Sequence, residues 1–268
     1  EMRHIMMDIV GSGFVGFGFV LGAVGLVLGS YFLARRLLTS GDEGDRTHDA
    51  ASTVAVRVAA LHGLILALVY AQELDDYKGI RTDLTQEAVA ISDVFNDAAR
   101  YDGPIVVPVQ QHLARYVALV VDEEWQRLAQ RQGLSASAWV EWDKAYNILL
   151  DLEPSSDRQR YLAQHMRQRI TDIAGFRQTR EAPTLGTFAG LFWAPALIGL
   201  ICVAAPFYVY RPTRTHIALL SMFGAYSGVI LFFIFAFSNP FAAPGRLEPA
   251  PFLHLLKGDI GKALPIAK

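Results

Sequence analysis

The sequence predicts an all-α integral membrane protein, with four transmembrane helices and a helical soluble insert between the second and the third. Three observations predict it. Four apolar blocks stand out, at 9–34, about 52–72, 185–210 and 217–245. Between the second and third lie 112 mostly polar residues, 73–184, whose apolar positions recur at helical spacing. No segment alternates apolar and polar residues with any strength, as a half-buried strand would. Composition agrees, with 52% hydrophobic and 19% charged residues and a mean hydropathy of +0.27. The expected domains are a hairpin of spans at 1–72, the insert at 73–184, a second hairpin at 185–245 with helices about 185–210 and 217–240, and a tail at 246–268.

The first block has to be separated from a nucleotide-binding motif. Gly11, Gly13 and Gly16 spell G-x-G-x-x-G, but Ile9 to Ala34 is a run of 26 residues without a charge. A helix packed on a sheet needs a polar face, and the acidic residue expected about 20 positions on is missing. At about 1.5 Å per residue the run reaches roughly 39 Å, enough to cross a hydrocarbon core of about 30 Å. No small-residue cleavage site precedes a soluble domain, so the block reads as a span and not a leader. Gly11, Gly18, Gly22, Gly25 and Gly29 then form one stripe of the helix, which predicts close packing against another helix of this chain or of a second copy.

The second span, 54–77, carries Arg57 and His62 in apolar sequence. An ionisable group at bilayer depth costs several kcal/mol unless it is paired, wetted or snorkelled. Arg57 is near enough to the helix start to reach the interface beside Arg35, Arg36 and Arg46. His62 is deeper, and reads either as a neutral imidazole bonded to a neighbouring helix or as a titratable group on a watery path. His62 and Glu73 share one helix face, Arg57 and Asp75 another, and Tyr70 lies near the His62 face at the far interface. A pore on the His62 face would give a mid-membrane ring at His62 and a mouth ring at Glu73. No stop follows Tyr70, and the helical period continues to the breaker Gly103-Pro104, which predicts one helix of about 50 residues. The linker 39–53 offers Asp49 or Ser52 as a helix cap.

In the insert, amphipathic helices are expected at 108–130, 135–153 and 155–178, the second starting at a Ser cap and the third at a Ser/Asp cap. Trp125, Trp139 and Trp142 are candidates for docking a partner protein. The run Asp122-Glu123-Glu124 reads as a solvated face.

Little here asks for chemistry. Neither H-E-x-x-H, C-x-x-C, an EF-hand loop, G-x-S-x-G nor a P-loop occurs, so no catalytic residue, metal site or cofactor is expected. The single cysteine, Cys202, cannot form an internal disulfide. A net charge of −2, with 13 basic against 18 acidic residues in the insert, argues against nucleic acid as a partner. Bis-histidine haem ligation by His62 and His216 is disfavoured because the two lie at different depths.

The order of parts and several short motifs resemble one family. The motifs are Glu123-Glu124-Trp125 in the insert, Phe192-Trp193 opening the third span, "SNPF" (238–241) closing the fourth and "EPAPF" (248–252) after it. Over about 50–260 the chain resembles the bestrophin-like bacterial membrane proteins, a domain of unknown function. That resemblance implies a homo-oligomeric anion channel with the second span lining the pore. The sequence departs from it in lacking a phenylalanine-rich neck; Leu64, Leu66, Leu68 and Val69 stand there instead, which puts anion selectivity in doubt. Basic residues beside the short loops (Arg35, Arg36, Arg46, Arg211, Arg214) predict those loops in the cytoplasm of a bacterial inner membrane and the insert in the periplasm, whereas the resemblance implies the reverse. Two functions follow: a self-associating ion channel in the lipid bilayer, or a non-conducting sensor or accessory subunit of a larger complex.

Overall fold

The computed structural model describes residues 2–38, 45–181 and 187–265; the side chains of 2–10, 12, 45, 46 and 187–191 lie outside the description. The start of the third block at 185 and residues 39–44 of the linker also lie outside it. The described residues are helical throughout their regular structure and divide into two compact units. Four of the helices are long and apolar enough to cross a membrane.

The first unit holds residues up to Asp76, then Gly186–Ser238 and Ala243–Gly245. Its elements are α1 (Met2–Leu38), the first part of α2 (Asp45–Tyr101), α7 (Thr187–Ala204) and α8 (Arg214–Phe237). A 3-10 turn, Ala205–Val209, ends α7 and turns the chain toward α8. Thr213 caps α8, its hydroxyl accepting from the His216 amide. Tyr31 donates to the Tyr210 carbonyl at 2.8 Å, and Arg35 to the Tyr208 and Tyr210 carbonyls at 3.0 Å each, so the end of α1 supplies donors to the turn's free carbonyls. Val27, Tyr31, Leu66, Leu200 and Leu231 make the core. Around it Phe14, Leu33, Leu61, Leu68 and Met222 are exposed. An apolar surface of this extent needs an apolar surround.

α2 runs 57 residues without a break, longer than its predicted length because it starts at Asp45. Asp49 and Ser52 are therefore inside the helix and not caps; the Ser52 hydroxyl donates to the Asp49 carbonyl. The helix stops where the sequence breaks, with Asp102 and Gly103 both left-handed (φ 68° and 90°) ahead of Pro104.

The second unit holds Tyr77–Leu185, Asn239–Ala242 and Arg246–Lys268. After the rest of α2 come α3 (Val106–Leu119), a π-helical turn (Val120–Glu124), α4 (Trp125–Ala129), α5 (Ala136–Leu150) and α6 (Asp157–Thr179). Ser135 caps α5 as predicted, and of the Ser/Asp choice at α6 it is Ser156 that caps, each accepting from the amide three residues on. The segment after the fourth apolar helix is not a loose tail. It forms α9 (Ala250–Lys257) and α10 (Asp259–Lys262) and buries Phe241, Phe252 and Ile260 in the core of this unit.

Candidate functional site

In the first unit α2 presents two faces. Arg57, Leu61, Leu64, Leu68 and Asp75 are exposed, whereas Ala55, His62 and Leu66 are buried. His62 is 4% exposed, which turns the His62 face into the chain and leaves the Arg57–Asp75 face open. The imidazole backs onto Gly199 of α7, where an added Cβ would lie 2.1 Å from Nδ1. Only glycine leaves room for the ring. Among the described residues Nε2 has no partner. His62 and half-buried Tyr70 line one cavity of about 470 Å³ with Leu66, Phe223, Ser227 and Ile230; Arg57 and Glu73 are not among its lining residues. His216 lines a different cavity, with Phe207, so the two histidines are not brought together.

The glycine stripe is not where the chain packs most closely on itself. Gly11, Gly18, Gly22, Gly25 and Gly29 are exposed, and among the described residues a Cβ on any of them would meet nothing within 4 Å. The close approach is made by α8 instead: Cβ atoms on Gly224 and Gly228 would lie 2.9 and 2.7 Å from the Cα atoms of Val24 and Val20 in α1. Sequence reasoning missed Gly199, Gly224 and Gly228. The last two, spaced i, i+4 in a span, carried the same small-residue signal as the stripe.

In the second unit the main polar feature is a fully buried cluster: Glu87 of α2, Tyr116 of α3, Glu124 of the π turn, Arg177 of α6 and Arg180 just after it. Arg177 donates through Nε to Glu124 Oε2 at 3.1 Å, through Nη2 to the same oxygen, and through Nη2 to the Ser135 carbonyl at 2.6 Å. Arg180 Nη2 donates to Glu87 Oε1 at 2.9 Å and lies 3.2 Å from Glu124 Oε1. Tyr116 donates to Glu87 Oε1 at 2.5 Å. The guanidinium of Arg177 lies over the Trp139 ring, 4.4 Å from its centroid, and that of Arg180 over Phe252 at 5.3 Å. Two carboxylates thus offset two guanidiniums away from water.

This corrects the reading of Asp122-Glu123-Glu124 as a solvated face. Asp122 is exposed, but Glu124 is carried into the core by the π turn, in which the Trp125 amide donates five residues back to Val120. Of the three tryptophans expected to dock a partner, Trp125 is buried, whereas Trp139 and Trp142 are half-buried. Trp125 is 3% exposed and donates to the Leu247 carbonyl, Trp142 donates to the Ile170 carbonyl, and Trp139 covers Arg177. Indoles committed to internal carbonyls and a cation offer little to a partner. His112 and His165 pair separately with Glu141 and Asp97, and among the described residues no three His, Cys, Asp or Glu side chains gather as metal ligands would.

Burial pushes the Glu87 carboxyl up to about 7, against the pull of Arg180 and the Tyr116 hydroxyl. Between about pH 4.5 and 7 the unfolded chain gives up this proton while the folded one keeps it. The second unit should therefore lose stability as pH rises through that window, and level off above it. Thermal unfolding at several pH values should show this slope in the wild type and a flatter one in Glu87→Gln.

Comparison with known proteins decides the family. The bestrophin-like domain matches residues 21–252. The chain belongs to the bestrophin-like family. No curated protein matches it significantly. Among solved structures, this bestrophin-like chain is similar to single-substitution crystal structures of a bacterial bestrophin homologue from Klebsiella pneumoniae. One superposes with a TM-score of 0.59 at 13% identity, covering 92% of this chain and 98% of the other. A second gives 0.58 at 13%, over 91% and 100%, and a third 0.52 at 15%, over 92% and 98%. At such identity the likeness is one of fold.

Proposed function

We infer that this bestrophin-like chain is one subunit of a homo-oligomeric ion channel in a bacterial inner membrane, with the open face of α2 lining the pore. One observation carries the reading. Leu61, Leu64 and Leu68 are exposed by 62%, 56% and 63%, on the same side as Arg57 and Asp75. An apolar stretch with a charge at each end is what a hydrophobic constriction between two charged mouths requires. The fold likeness and the family support it. The glycine stripe of α1 supports self-association, because among the described residues an added Cβ on any of its members would meet nothing within 4 Å. The pore face is thus assigned to Arg57 and Asp75 and not to His62 and Glu73. The charge of the short loops supports an insert on the periplasmic side. A non-conducting accessory subunit has less support, since Trp125 is buried and all three indoles already have contacts within the chain.

The test is purified protein reconstituted in planar bilayers, with particle symmetry measured in parallel. A symmetric ring carrying current is expected, and Leu64→Glu should shift the reversal potential toward cation permeation. A silent wild-type ring, or a reversal potential unmoved by Leu64→Glu, overturns the reading.

A further inference from the structure

We propose that the cavity between α2 and α8 binds a neutral lipophilic molecule with a carbonyl-bearing ring, of the quinone class, through His62. The inference does not rest on conduction. Its first support is size: about 470 Å³ falls in the range of roughly 300–1,000 Å³ typical of small-molecule sites. Its second is lining chemistry. Tyr70, Phe223, Tyr226 and Phe233 offer aromatic walls for a flat ring, and no Asp, Glu, Lys or Arg is present to compensate a charged head.

The third support is the imidazole itself. Gly199 holds the ring along its Cγ–Nδ1–Cε1 edge, which turns the Cδ2–Nε2 edge away from α7. Nε2 is buried without a partner among the described residues, and Ser227, 3% exposed, lines the same cavity. A buried donor left unpaired is costly, and a carbonyl oxygen accepting from Nε2–H, with the Ser227 hydroxyl as a second donor, removes that cost.

Depth selects the class. His62 stands five residues beyond Arg57 and eleven before Glu73, about 7.5 and 16.5 Å along the helix. The ester carbonyls of a glycerolipid stay at the interface, so such a lipid would bring only methylene groups to His62. An uncharged ring-headed lipid can place its carbonyl below the interface, at the depth of His62.

The test uses the full chain in phosphatidylcholine nanodiscs, labelled with an azido-quinone photoprobe in competition with decylubiquinone. Labelling is expected on residues 59–70 and 223–233, and excess decylubiquinone should suppress it. His62→Leu should weaken competition about tenfold, the loss of one well-made hydrogen bond. Ala67→Phe should abolish labelling by filling the cavity; Ala67 is exposed, so the larger side chain needs no core repacking. Leu197→Phe, in the separate cavity beside Trp193, should change nothing. Labels spread over all four apolar helices, no labelling because another copy covers the cavity, or equal competition in wild type and His62→Leu would each overturn the proposal.

Discussion

Arg177→Ala is expected to unfold the second unit, at a cost of about 3–5 kcal/mol, the range for removing one partner of a buried ion pair. The side chain is wholly buried and makes three kinds of contact at once: the Glu124 carboxylate, the Ser135 carbonyl and the Trp139 ring face. Alanine would leave Glu124 charged in the core with only the Ser135 amide and Arg180 to hold it. It would also open a cavity under Trp139. The complementary change is more informative. Replacing the pair together, Arg177→Met with Glu124→Leu, removes both charges and should recover part of the loss, because an apolar pair of similar volume is often no worse than a buried salt bridge. Recovery should be incomplete, since Arg180 also uses Glu124. Denaturant unfolding of the detergent-solubilised chain measures both, with Trp139 as a reporter close to the change. Equal stability of wild type and Arg177→Ala would show that the cluster contributes little.

The second large effect is expected at Gly228→Leu in α8. A Cβ there would lie 2.7 Å from the Val20 Cα and 2.8 Å from the Phe19 carbonyl oxygen, so the obstacle is backbone, which cannot rotate away as a side chain can. Relief requires α1 and α8 to separate. That places the cost at or above the upper end of the usual overpacking range of about 1–3 kcal/mol. Gly22→Leu is the control. Its Cβ meets nothing within 4 Å, so the protomer should keep its unfolding midpoint while the ring, if the stripe is its seam, dissociates at lower detergent. Unfolding in mixed micelles and size measurement in detergent separate the two outcomes. Equal loss of protomer stability in both variants would contradict the packing.

The helices were legible because solvent writes strongly into sequence. The charge-free run 9–34, the unbroken period from Tyr70 to Gly103 and the serine caps at 135 and 156 each specify an element locally. The interior was harder to read, although its signal was present. Glu87 stands between Leu84 and Ile91, Glu124 between Val117 and Leu128, and Arg177 four residues beyond Ile173, each on the apolar stripe of its helix. A charge at such a position reads as a solvated one until its partner is known, and the partners are 53 and 93 residues away. Nor does spacing state which face of a span its own chain will cover. It set His62 and Arg57 on different faces, but only the packing of Gly199 decided which of them turned inward.

The second unit is assembled from the middle of the chain and from segments after α8. Trp125 waits for the Leu247 carbonyl, and Arg180 for the ring of Phe252. A ribosome delivers these partners only after both later apolar helices have been made. The nascent second unit must therefore persist half-built until α7 and α8 have been made, and a polypeptide cut short before Phe252 would emerge with its charged heart uncovered.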